Sequence, residues 1–273
     1  AQQYWEESLT LYRALADVWG MVQVLTSLGQ LAIQVSDYTS ALRLLEESLE
    51  YGRTLGDHKS MARTLCVLGN AYATRGHLTM AERLNRESVA LSEAVGDRLG
   101  AADSQVQLAG DLAYQGQFRT ASALYVQAAA IYQELGAQRA YALASHLLGW
   151  MKTNLGEYAT VYEHFQIAQA IYSAENNQHG IALSMLGLGG VALVEHAYAE
   201  AQRLLTESAA RFAAVHQWDE QAIALGMLAA ALHGLQCPAE AKQCVQQALQ
   251  ITAAIGAFAP ALFALESYAL LLA

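Results

Sequence analysis

Proline is nearly missing: Pro238 and Pro260 are the two in 273 residues, and only 15% of the chain is charged against 54% hydrophobic. A chain so poor in charge and proline lacks the composition that keeps a polypeptide unfolded, so it has the material for a folded core. Cysteine is scarce as well. Cys66, Cys237 and Cys244 cannot build a disulfide framework, and Cys237 and Cys244 have neither a CxxC spacing nor a neighbouring histidine at zinc-site distance. A reducing, cytoplasmic setting is the expectation. Uninterrupted apolar runs of about eighteen residues, the length of a spanning helix, are absent. The opening stretch AQQYWEESL is polar and acidic where a secretion signal is basic and then apolar. No membrane partner is expected.

Positive charge is also in short supply. Fifteen basic against 25 acidic residues leave a net charge of −10, which repels a phosphate backbone unless the basic residues are segregated. They are hardly segregated: through residue 139 there are 11 Lys and Arg against 15 Asp and Glu, and afterwards 4 against 10. Direct nucleic-acid binding is not expected. Reactive constellations are equally lacking. GLGG at 187–190 has no Lys-Ser/Thr after it to make a phosphate loop, there is no HExxH, and the eight histidines are scattered. His146 and His164 share a repeat unit and could meet across a helix pair, but polar residues on or near a groove are the plainer reading of both. The chain is expected to be no enzyme, with no cofactor and no metal.

What is present is a period. Leu28-Gly29, Leu68-Gly69, Leu108-Ala109, Leu148-Gly149, Leu188-Gly189 and Leu228-Ala229 recur every 40 residues without insertion. Nine residues after each small residue stand Tyr38, Leu78, Phe118, Tyr158 and Tyr198, with Pro238 breaking the series. Three further on come Ala41, Ala81, Ala121, Val161, Ala201 and Ala241. Boundaries read Leu55-Gly56-Asp57, Val95-Gly96-Asp97, Leu135-Gly136-Ala137 and Ile255-Gly256-Ala257.

Each landmark has a physical role. Gly56 and Gly96 suit the left-handed residue that ends a helix, and Asp57 and Asp97 can cap the next one by accepting from its free amides. Leu65, Leu68, Gly69 and Tyr72 fall at helical spacing. Leu78, Ala81, Leu84, Ser88 and Leu91 mark a second helix beyond a turn at Gly76. Gly69, Ala81 and Ser88 are small enough to let the two helices approach closely. Helix pairs of this length cannot bury their faces alone, so successive pairs must stack, each touching mainly its neighbours.

The combination of Leu68-Gly69, Tyr72, Ala81 and Ser88 resembles the consensus of the tetratricopeptide repeat, whose usual unit is about 34 residues. The 40-residue unit with its Gly-Asp boundary resembles the longer-helix variety, as found in bacterial STAND-type signal-transduction ATPases, LuxR-type regulators and Pins-like adaptors. The chain departs from the family where a tryptophan is usual: Leu25, Leu65, Gln105, Ser145, Met185 and Leu225 stand there. The resemblance implies an all-α, right-handed superhelical solenoid of antiparallel helix pairs. One repeat domain over 1–273 would hold six full repeats, 18–57, 58–97, 98–137, 138–177, 178–217 and 218–257, between half repeats at 1–17 and 258–273. Half repeats at both ends, and a finish of SYALLLA, suggest a piece of a larger protein, with self-association through uncapped ends as the open alternative. The later repeats are expected to be the least regular, because of Pro238 and of Asn176-Asn177 at a boundary.

Repeat arrays bind mostly through the face lined by the first helix of each pair. Opposite Gly69, that face carries Arg63, Cys66, Asn70, Ala73 and Thr74. Projection along the period adds Gln23, Thr26, Gln30 and Gln34, then Asp103, Val106 and Tyr114, then His146, Trp150 and Asn154, then Leu183, Leu186, Leu193 and Val194. Trp150, beside Tyr114 and His146, is the expected anchor. A carboxylate clamp is not expected, because Cys66 and Trp150 stand where basic companions of Asn70 and Asn154 would be needed. The resemblance implies a non-catalytic module binding a protein or peptide, either as the sensor of a multidomain bacterial regulator or as a standing scaffold. In the first case the ATPase or effector domains of the same chain are further partners.

Overall fold

Twenty residues separate each chain reversal from the next, and this spacing dictates the architecture. A computed structural model of the chain describes residues 2–35 and 37–255, and among them there are thirteen α-helices and no strand. The chain divides into two compact units, Ala1–Ala137 and Gln138–Ala273, at a repeat boundary of the sequence. The first contains α1 (Gln2–Ala14), α2 (Val18–Gln34), α3 (Tyr38–Leu55), α4 (His58–Thr74), α5 (Leu78–Ala94), α6 (Arg98–Tyr114) and α7 (Phe118–Glu134). The second contains α8 (Gln138–Asn154), α9 (Val161–Ala174), α10 (Gln178–Val194), α11 (Tyr198–Ala214), α12 (Trp218–Gly234) and α13 (Pro238–Ile255). Even-numbered helices are the first of each pair. The half repeat 258–273, the closing SYALLLA and the Gly256 boundary lie outside the described residues.

Left-handed residues punctuate the helices. Gly76, Gly96 and Gly116 have φ of 79°, 70° and 78°, a conformation in which a glycine meets no Cβ clash. Asp57 and Asp97 then cap the helices that follow, their Oδ1 atoms accepting from the amides of Ser60 and Gly100 at 3.1 Å. Past Gly156, at φ of 72°, the second unit keeps this geometry without glycine. Asn176, His196, His216 and Gln236 take φ between 54° and 62°, Asn177 caps α10 through Gly180, and α10, α11 and α12 all run the full 17 residues.

The expected loss of regularity in the later repeats is therefore corrected. Irregularity sits earlier, at Tyr158–Thr160, where a single 3-10 turn replaces the first turn of α9. Val161 stands there, fully buried, where Ala41, Ala81, Ala121, Ala201 and Ala241 are fully buried in the other repeats. Two extra methyl groups at a close helix contact crowd the regular first turn.

Packing within a pair matches small against large. A Cβ added to Gly29 would lie 2.6 Å from Leu45 Cγ, one on Gly149 would lie 2.7 Å from Phe165, and one on Gly189 would lie 2.7 Å from Leu205. Buried Ser48, Ser88 and Ser208 donate to the carbonyls of Val22, Ala62 and Ala182, so each hydroxyl brings two helices together and is itself satisfied. One large position is polar: Asn85 occupies the place of Leu45, Phe165 and Leu205, with no exposed surface. Its Nδ2 donates to Asp111 Oδ2 at 2.7 Å, while its Oδ1 has no partner. Burial drives the Asp111 carboxyl up to about 6, against the pull of that hydrogen bond.

Candidate partner-binding groove

In the first unit α2, α4 and α6 stand side by side, and bonds between first helices hold them in register. Gln23 Nε2 donates to Ser60 Oγ at 2.8 Å, and Asn70 Nδ2 donates to Gln107 Oε1 at 3.2 Å. Along their shared face runs a cavity of about 710 Å³. Gln23 and Gln30 of α2, Arg63 and Cys66 of α4 and Asp103 of α6 all line it. These five come from the projected set, brought together because a 40-residue period places equivalent positions on neighbouring first helices.

The same cavity contains residues that the projection missed. Trp19, Lys59 and Leu99 line it one helical turn before Gln23, Arg63 and Asp103, and Trp19 and Leu99 expose 57% and 44% of their surface. The signal was available: positions i and i+4 share a helix face, so extending the projection by one turn finds all three. Asp57 and Asp97, read as caps, also reach the cavity.

The charges in the groove are unequally compensated. Lys59 Nζ lies 3.2 Å from Asp97 Oδ2. Burial would raise the Asp57 carboxyl, but the hydroxyl and amide of Ser60 donate to it and hold it below its ordinary value. Asp103 goes the other way. Loss of water raises it, the Tyr132 hydroxyl donating to Oδ1 at 2.7 Å opposes this, Asp97 adds to the rise, and Arg63 contributes the smallest relief. Cys66 is a neutral thiol, pushed up to about 12 by burial, and offers no nucleophile.

Other projected residues are placed elsewhere. Thr26 is buried, its hydroxyl joined to those of Ser48 and Thr64 at 2.9 Å, so it ties helices together instead of facing a ligand. Asn70 lies half-buried, bonded to Gln107. Thr74 is exposed, its hydroxyl turned back to the Asn70 carbonyl, and Gln34 is exposed at the end of α2. Val106 is buried, and Tyr114, at the end of α6, is 81% exposed.

In the second unit His146 is buried and its Nε2 accepts from Trp150 Nε1 at 3.1 Å. The rings of His146 and Trp150 pack edge-on against Phe165, with centroids 5.4 and 5.8 Å away. Burial, helped by His179, lowers the His146 pKa to about 4, so the ring is neutral. Trp150 packs against the cores formed with α10 and α12, and Leu186 is buried among them. The expected anchor is thus a wall of the core, because α10 presents Gly187 and Gly190 there and leaves room for rings. Leu183 and Leu193 are half-buried against the same core, Val194 is exposed, and exposed Asn154 donates to the Trp150 carbonyl. Among the described residues no three His, Cys, Asp or Glu side chains group to hold a metal, and no helix is long and apolar enough to cross a membrane.

A tetratricopeptide repeat family model matches residues 20–94, which span α2 to α5 apart from the first two residues of α2. This segment is tetratricopeptide repeat. The rest of the array continues the same 40-residue helix pairs, and solved structures extend the fold across the chain. BtubC from P. vanneervenii aligns with a TM-score of 0.68 at 18% identity, over 81% of this chain and 93% of that one. The STAND protein with a tetratricopeptide repeat sensor from Pyrococcus horikoshii aligns with a TM-score of 0.72 at 16% identity, over 94% of this chain and 41% of that one. A Rap protein complexed with competence and sporulation factor aligns with a TM-score of 0.67 at 14% identity, over 92% of this chain and 75% of that one. A comparison with curated protein sequences finds no match. Tetratricopeptide arrays are typically interaction scaffolds that work through their extended surfaces.

Proposed function

We propose that this array is a non-catalytic module that binds a protein segment in the α2–α4–α6 groove, acting as the sensor of a multidomain STAND-like bacterial regulator in a cytoplasmic setting. The groove carries the reading: a 710 Å³ concavity that combines exposed Trp19 and Leu99 with hydrogen-bonding Gln23, Gln30 and Arg63. Apolar area supplies affinity there and a few placed polar groups supply orientation. The sensor assignment is supported by the alignment of 94% of this chain with a STAND protein whose sensor is a tetratricopeptide repeat.

A second reading is a standing adaptor without an attached ATPase. It is favoured by the alignment with BtubC, of which this chain covers 93%.

Display selection of peptides on the immobilised chain tests the groove. Selected peptides should lose binding to Trp19→Ala and Arg63→Ala, and keep it to Arg86→Ala, which alters a pair with Glu82 away from the cavity. Peptides that bind all three variants equally would remove the groove from the account. A phosphate-loop motif encoded upstream in the same gene separates sensor from adaptor.

A further inference from the structure

A strict period makes successive helix pairs near-copies of one another, and near-copies can pair out of order, the characteristic misassembly of repeat proteins. Only a departure from the period distinguishes one junction from the next. Two buried departures stand out. Along the second helices the large position reads Leu45, Asn85, Tyr125, Phe165, Leu205 and Val245, all buried, with a single amide among them. In the first helix that follows each of these stand Ala71, Asp111, Met151, Val191 and Ala231, all buried, with a single carboxyl among them. The two exceptions are partners: Asn85 Nδ2 donates to Asp111 Oδ2 at 2.7 Å. Leu45 with Ala71, Phe165 with Val191 and Leu205 with Ala231 fill the matching places with hydrocarbon alone. Set opposite alanine or valine, Asn85 would bury its amide without a partner, and Asp111 opposite leucine or phenylalanine would bury its carboxyl without one. The pair is a poor stabiliser even in its own place. Asn85 Oδ1 has no partner there and stands over Gly69 of α4, where a Cβ would come within 2.6 Å of it. Well-packed hydrocarbon would hold α5 to α6 as firmly, so what the polar pair adds is selectivity.

We infer that Asn85 and Asp111 form a register key, which makes 98–137 the repeat that must follow 58–97 and rejects the other repeats at that junction. The cavity depends on this neighbour relation whatever occupies it, since Arg63 and Cys66 come from α4 and Asp103 from α6. A buried polar contact that costs stability and fixes register is a known device of helical assemblies.

The test unfolds the 273-residue chain in urea and refolds it at neutral pH at low and high protein concentration. Dimers that persist on dilution, the product of exchanged segments, are counted by size exclusion with light scattering. Asn85→Leu combined with Asp111→Ala turns the α5–α6 junction into a copy of Leu45–Ala71 and Leu205–Ala231, so the double variant should fold. It should match or exceed the parent's resistance to urea, yet give at least about tenfold more exchanged dimer, the scale of one buried polar group left unpaired. Asp111→Asn leaves Asn85 a hydrogen-bonding partner and should refold as monomer, like the parent. Gln115→Ala removes an exposed bond from α6 to Glu82 of α5 and should do the same. A double variant that refolds as cleanly as the parent would overturn the inference. One clearly less stable than the parent, or no more dimer-prone than Asp111→Asn or Gln115→Ala, would make the pair an ordinary contact and overturn it equally.

Discussion

Asp111 should make this array less stable as the solution turns from mildly acidic to neutral. Its carboxyl is 3% exposed, faces Asn85 on α5, and titrates at about 6 instead of the ordinary 3.8, through burial first and the nearby Glu82 carboxylate besides. The other titratable groups near it are the Cys66 thiol and the Tyr125 phenol, both neutral in this range because burial raises them. A raised carboxyl binds its proton more tightly folded than unfolded. Its contribution to stability is therefore fully present below pH 3.8 and is lost as pH rises through 6. Geometry gives the same sign: a protonated Asp111 can donate to the orphan Oδ1 of Asn85 while still accepting from its Nδ2. A difference of about two pKa units corresponds to about 3 kcal/mol. Asp111→Asn replaces the carboxyl with an amide that can make the same reciprocal pair at every pH. Urea unfolding of both chains between pH 4.5 and 7.5 isolates the effect, because carboxylates common to both cancel. The variant should gain on the parent as pH rises, by about 2 kcal/mol across this range, since part of the full effect is already present at pH 4.5. A stability difference that stays flat across the range, or grows toward acid, would refute the account of this buried pair.

Three substitutions test the backbone and the core separately. Gly96→Ala meets nothing within 4 Å and sits at φ of 70°, so it should cost about 1 kcal/mol, measured by thermal unfolding, through backbone strain alone. Gln236→Gly relieves the same strain at φ of 62° on an exposed residue and should stabilise the second unit by about 0.5–1 kcal/mol. Trp150→Ala should lower stability by about 2–4 kcal/mol in chemical denaturation, since it opens a cavity beside Phe165 and leaves the His146 ring without its donor. Retention of full stability by that variant would return Trp150 to the role of a surface anchor.

How the chain divides between legible and hidden follows from where the physics is local. Helix lengths, reversals and the small residues at helix contacts repeat every 40 residues, and each depends on neighbours within a turn or a pair. Gly76, Asp97 and Ala81 could therefore be assigned from their letters alone. The groove was legible only in part. Gln23, Gln30, Arg63, Cys66 and Asp103 lie where the period projects them, whereas Thr26, His146 and Leu186 share that register and are buried. Register fixes the direction of a side chain along its helix, but burial depends on the bulk of what stands opposite. Cys66 keeps contact with a cavity at the position where His146 is covered by Trp150 and Phe165.

The sequence by itself determined the all-α repeat, because caps, left-handed turns and apolar spacing act over a few residues. Only the tertiary structure decided that Asn85 and Asp111 meet inside the core, that Trp150 is a wall, and that the Tyr132 hydroxyl reaches Asp103 beside an open groove. Each of these is settled by partners 15 to 40 residues away, whose distance no local pattern encodes.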